Sequence, residues 1–180
     1  MHGLAKRIGF FCLSIALARG VAVSAETEGL QFHLDPTEFL KWKVGHSQTD
    51  GDKASILEMV PQGETVDDWT KMLTALTFSK TKTQYPAPEA AMEALKESML
   101  RKCPDVKWNV IEKIGKDILY EWRIENCSPN PDQHNIVRIF EGKYNRFQLM
   151  YVRKVRELPA EERDQWLKFL RETRVEIKDK

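Results

Sequence analysis

The chain is expected to fold as an α+β domain, with an antiparallel sheet of about six or seven strands and two main helices packed on it. Three observations carry this expectation. Between positions 118 and 125, Ile118, Tyr120, Trp122 and Ile124 alternate with Leu119, Glu121, Arg123 and Glu125, the period of two that marks a strand. Two other stretches, one opening at Pro86-Ala87-Pro88-Glu89 and one at Pro159, repeat apolar residues at helical spacing. The strand-like segments come in runs separated by those isolated helices, and that order belongs to α+β folds rather than to alternating parallel α/β folds.

Residues 1–25 read as a cleavable secretory signal. Lys6 and Arg7 start it, Ile8 to Ala18 is apolar, and Val23-Ser24-Ala25 supplies the small residues of a cleavage site before Glu26. The apolar run is shorter than the roughly 20 residues that span a bilayer. Cys12 sits inside that run rather than at the cut, so no lipid anchor is expected. The mature chain, 26–180, has the length of one domain and is expected in the periplasm or secreted.

Leu30 to Val44 is read as one or two short strands around a turn at Asp35-Pro36, and Thr49-Asp50-Gly51-Asp52 as a polar turn. Ala54 to Val60 is a strand stopped by Pro61. In the following Pro61-Gln62-Gly63-Glu64-Thr65-Val66-Asp67-Asp68-Trp69-Thr70, the Thr65–Asp68 spacing resembles a capping pair and predicts a short helical turn. Met72 to Phe78 is the next strand. The helix opened by Pro86-Ala87-Pro88-Glu89 buries Ala91, Met92, Leu95 and Met99 and ends at Cys103-Pro104. Lys107 to Ile114 is a strand with Trp108, Val110 and Ile114 on one face. The strand at 118–125, with one face mostly charged, predicts a sheet covered on one side. Asn135 to Phe140 and Arg146 to Val155 are two further strands around a turn at Gly142-Lys143-Tyr144-Asn145. In the last helix Trp166, Phe169 and Leu170 face the sheet, while Arg163, Lys168 and Arg171 face water.

The mature chain carries 25 Lys and Arg against 27 Asp and Glu, which gives no global electrostatic reason to bind nucleic acid. The charge is polarised. Positions 26–70 hold 10 acidic and 3 basic residues, and positions 143–180 hold 11 basic and 7 acidic. Such a basic C-terminal surface suits an acidic partner or lipid headgroups. Cys103 and Cys127 are the two cysteines of the mature chain, and in an exported protein an even pair predicts a disulfide. Their spacing excludes a C-x-x-C redox motif.

No catalytic constellation stands out. His33, His46 and His134 lie far apart in sequence, so no metal site is indicated. The chain lacks a nucleophile elbow and a glycine-rich phosphate loop, and no cofactor is implied. Asp67-Asp68 and Glu161-Glu162 are neighbours that do not share a helix face, and they read as helix-start charges. Asn126-Cys127-Ser128 fits a glycosylation sequon. Of the five tryptophans, Trp108, Trp122 and Trp166 read as core, and Trp42 and Trp69 as candidates to line a groove, with core filling the preferred reading of Trp69.

The segment Val60 to Thr70, the strand after it and the Cys103-Pro104 helix end resemble a group of uncharacterised exported proteobacterial proteins with a Pro-x-Gly-x-Thr-x-x-x-Trp turn. The order of elements is similar to the PsbP-like, DcrB-like α/β sandwich. The resemblance implies a Gram-negative periplasmic address and a non-enzymatic role, with no catalytic residues to carry over. The expectation is therefore a binding or accessory domain that meets an envelope protein, with peripheral membrane contact as a further option. The contact residues expected are Asp67, Asp68 and Trp69, and the helix face of Arg163, Lys168 and Arg171. The alternatives are a carrier of a small apolar ligand held between sheet and helix, and, third, a hydrolytic enzyme.

Overall fold

The computed structural model of the protein describes residues 27–32, 35–82 and 84–178; the expected signal at 1–25 and His33 lie outside them. Strand β1 (Thr27–Gln31) leads to a one-turn helix α1 (Pro36–Phe39) and then to β2 (Trp42–Asp50), β3 (Ala54–Pro61) and β4 (Lys71–Ser79). Helix α2 (Pro88–Lys102) crosses to a second run, β5 (Lys107–Ile114), β6 (Asp117–Ile124), β7 (Gln133–Glu141) and β8 (Asn145–Arg153). Helix α3 (Ala160–Glu172) and β9 (Arg174–Lys178) close the domain.

Seven strands form one antiparallel sheet in the order β2-β3-β4-β8-β7-β6-β5. Each run is a meander, and the two meanders join where β4 lies beside β8, with Lys71 opposite Arg153 and Ser79 opposite Asn145. Both edges, β2 and β5, carry a bulge. A bulge interrupts the row of unpaired backbone groups that would otherwise template another strand.

The sheet is covered on both faces, not one. Ile118, Tyr120, Trp122 and Ile124 of β6 pack with Val137, Ile139 and Met92 of α2. On the other face Leu119, Ile136, Leu149 and Tyr151 pack with Trp166, Leu167, Phe169 and Leu170 of α3. The charged alternation in β6 misled the reading because Leu119 alone supplies its apolar contact to α3. Glu121 and Arg123, further along the strand, meet Arg163 and Glu157 rather than water.

Local chemistry explains the other departures. The expected turn at Asp35-Pro36 is a helical one: the Asp35 carboxylate accepts the Thr37 amide at 2.8 Å, and with Pro36 behind it this starts α1. The Thr65 hydroxyl does accept the Asp68 amide at 3.1 Å. The Thr65 amide also donates to the Asp68 carbonyl, and that bond closes the chain into a loop, so no helical turn follows. The bulge between Val110 and Glu112 puts Lys113 opposite Ile118 and Ile114 opposite Asp117, so Ile114 leaves the face shared by Trp108 and Val110. Trp42 is buried in the core, edge-on to Tyr151 and Trp166.

Strand β9, which the sequence pattern does not announce, pairs with β1 as a separate two-stranded ribbon, Thr27 opposite Lys178 and Gln31 opposite Arg174. Leu30, Phe32 and Val175 pack against the α3 side of the core. The Glu28 carboxylate of β1 accepts the amides of Lys143, Tyr144 and Asn145 in the β7–β8 turn. Gly142 permits that approach, since a Cβ there would sit 2.7 Å from Glu28 Oε2.

Two buried arginines tie elements together. Arg138 of β7 donates through one nitrogen to the carbonyls of Leu170, Arg171 and Thr173 at 2.7, 3.1 and 3.2 Å, and through another to Asp117 at 2.8 Å. It thus caps the negative end of α3 with a full positive charge. Arg146 holds Glu141 and donates to the Pro86 carbonyl just ahead of α2. Cys103 at the end of α2 is bonded to Cys127 after β6, with Cα atoms 5.6 Å apart.

Candidate functional site

The six residues expected to meet a partner fall in two separate places. Asp67, Asp68 and Trp69 lie in the 62–70 loop. Trp69 and Val66 pack on Val60, Met72 and Val152. The register puts Met72 and Val152 on the face of the sheet opposite α3. Arg163, Lys168 and Arg171 are on α3.

The loop is not slack. The Glu64 carboxylate accepts both the amide and the hydroxyl of Thr70 at 2.7 Å. The Gln62 amide donates to the Lys41 carbonyl, and the Gln62 side chain to the Trp42 carbonyl. Gly63 turns the chain at φ 89°. Gly45 of β2 leaves room for Val66, which a Cβ would meet at 2.9 Å. Lys154 lies 4.4 Å above the Trp69 ring. Held in this way, the loop keeps Asp67 and Asp68 exposed, with neither carboxylate in an ion pair among the described residues.

The helix face differs from its expectation. Arg163, in the first turn of α3, turns inward and grips Glu121 of β6 with two parallel hydrogen bonds of 2.7 and 2.8 Å. Arg171 is exposed yet bonded to Glu112 of β5 at 2.8 Å, and among the described residues Lys168 reaches only Glu172 at 3.9 Å. Charge that the sequence places on one basic surface is largely neutralised in three dimensions. Glu162 is likewise more than a helix-start charge, since it accepts the Tyr151 hydroxyl and pairs with Arg153.

Sequence reasoning missed a cluster that lines a cleft of about 640 Å³ between β5, β6 and the start of α3. His134 of β7, buried at 3 % exposure, faces Glu121 at 3.2 Å through Nε2. Its Nδ1 accepts the Leu158 amide at 3.0 Å, so the proton sits on Nε2 and is donated to the carboxylate. Asn109 adds a further bond to Glu121 at 3.0 Å. The members are distant in sequence, and no local signal joins them.

Burial by itself pushes the Glu121 carboxyl up. The hydrogen bonds from His134, Arg163 and Asn109 and the Arg163 charge outweigh it and hold the group well below the usual carboxylate range. A depressed folded pKa contributes stability above the unfolded value, about 4.3, and loses it as pH falls through the folded value. Unfolding free energy is therefore expected to fall on acidification below about pH 4.3 more steeply in the parent than in Glu121→Gln. At neutral pH that substitution is expected to cost about 2 kcal/mol. Urea titrations at stepped pH check both.

Chemically, the cluster fastens the 154–159 segment to the sheet. Both imidazole nitrogens are engaged, and four donors surround the two Glu121 oxygens. A general base needs a lone pair facing the substrate, and neither group offers one in this arrangement. Among the described residues no group of three or more His, Cys, Asp or Glu is placed to hold a metal ion, and no helix is long and apolar enough to cross a membrane. No protein-family model and no curated protein matches the chain.

Proposed function

We propose that the protein works outside the cytoplasm, in the periplasm or beyond, as a non-catalytic accessory domain that docks on a basic surface of an envelope protein through its 62–70 loop. The observation that carries the reading is the organisation of that loop. It has no regular secondary structure, yet its own hydrogen bonds and the seat of Val66 and Trp69 hold it rigid, with two neighbouring carboxylates turned outward. Ordering a loop before binding removes an entropic cost of association. Acidic side chains on such a loop select a positively charged counterpart.

The disulfide suits an oxidising compartment and supports the export read from residues 1–25. A seven-stranded antiparallel sheet between α2 and α3 supports the PsbP-like resemblance, which speaks to fold and not to role. The helix-face contact narrows to Lys168, because Arg163 and Arg171 are held by Glu121 and Glu112.

The test is site-specific photo-crosslinking of the tagged protein in its native envelope. A crosslinker at position 67 should give one dominant adduct that is lost in an Asp68→Lys background, whereas position 116, on a remote turn, should not. Equal labelling from both positions would overturn the loop as the docking element.

A further inference from the structure

We propose that the seam between α2 and the 62–70 loop is a binding site for a small amphipathic molecule, whose head accepts hydrogen bonds as a carboxylate or an ester carbonyl does. The site concerns the inner side of the loop and rests on observations independent of the docking role.

The floor is two adjacent cross-strand rows on one face of the sheet. One runs Trp122, Asn135, Val152, Met72, and the other Tyr120, Val137, Met150, Thr74. Four of these eight residues carry a buried polar atom without a hydrogen-bond partner: Trp122 Nε1, Asn135 Nδ2, Tyr120 Oη and Thr74 Oγ1. Their residues are between 0 and 8 % exposed. Indole and amide nitrogens only donate, and both hydroxyls are able to donate. This face therefore shares one deficit, a want of acceptors, and leaving buried donors unpaired is costly enough that native proteins rarely do so.

The roof is divided beside Asn135, while Tyr120 and Trp122 lie under the α2 side, stacked with Trp108. Apolar packing on this face forms two separate clusters. One lies under α2 with Met92, Tyr120, Trp122 and Val137, and the other lies under the loop with Val60, Met72 and Val152. Asn135 stands in its row between Trp122 of the first cluster and Val152 of the second. Helix α2 fully buries only Pro88 and Met92, while α3 on the opposite face buries four residues. Met150 alone in the two rows is incompletely buried, which marks the way in. Val137 and Val152 are covered in this state, so an apolar body entering at Met150 would part α2 from the loop and bring an acceptor head to Trp122 and Asn135, which are direct cross-strand neighbours.

The experiment is a titration of the mature protein with the fluorescent fatty acid cis-parinaric acid, followed by competition with laurate and with methyl laurate. Saturable binding is expected. Displacement by laurate alone identifies a carboxylate head, and displacement by both identifies a carbonyl as sufficient. Trp122→Phe and Asn135→Leu, each of which removes donors without adding any, should weaken parinarate binding about tenfold, the loss of one good hydrogen bond to the head. Absence of saturable binding by the parent would overturn the site, as would an unchanged dissociation constant in Trp122→Phe.

Discussion

Replacing Arg138 by Met is expected to lower the unfolding free energy by about 3–5 kcal/mol, the range for breaking a buried ion pair from one side. The side chain is 3 % exposed and serves two elements at once. Without it, three carbonyls at the end of α3 lose their donor, and Asp117 keeps a half-buried charge whose other oxygen still accepts the Glu141 amide at 2.8 Å. Arg138→Lys should recover only part of the loss. An ammonium is a point charge without the planar fork that reaches the helix end and the carboxylate together. Urea denaturation at pH 7 measures both variants. A loss below about 1 kcal/mol in Arg138→Met, the worth of one ordinary hydrogen bond, would mean that the end of α3 is held by Thr173 and its packing instead.

Removing the disulfide by Cys103→Ser with Cys127→Ser is expected to cost about 3–4 kcal/mol, from the loop of 25 residues that it closes in the unfolded chain. The loss should be uneven. Helix α2 keeps few deeply buried contacts of its own, so its amides should exchange with solvent faster relative to those of α3, which four buried residues hold in place. Hydrogen exchange resolved by segment, beside urea unfolding of the double variant, checks both parts. Uniform acceleration across the domain would instead show the bridge acting on the whole fold through the unfolded chain.

Much of the fold was legible because it is written locally. The alternation at 118–124, the helix starts at Pro86-Ala87-Pro88-Glu89 and Pro159 and the Cys103–Cys127 pair each lie within one short stretch or follow one compositional rule. The misses share a physical cause. Strand β9 carries only Val175 and Ile177 as apolar marks, and its partner β1 is some 150 positions away. The bulge in β5 changes which face Ile114 takes without altering the residue pattern that suggested the strand. The candidate sites divide in the same way. The acidic loop with Trp69 was visible as a motif. The pairing of Arg163 with Glu121, the His134 contact to Leu158 and the row holding Trp122 and Asn135 exist only once the strands are in register.

The β1–β9 ribbon has a mechanical consequence. Thr27 and Lys178 stand side by side at one end of it, so tension applied through both chain ends would load the backbone bonds one after another, as in opening a zipper, and not all at once in shear. The ribbon would peel at low force. Peeling would draw Glu28 away from the amides of Lys143, Tyr144 and Asn145, while the seven strands, which share no backbone pairing with β1 or β9, would keep their own pairing until the ribbon had opened.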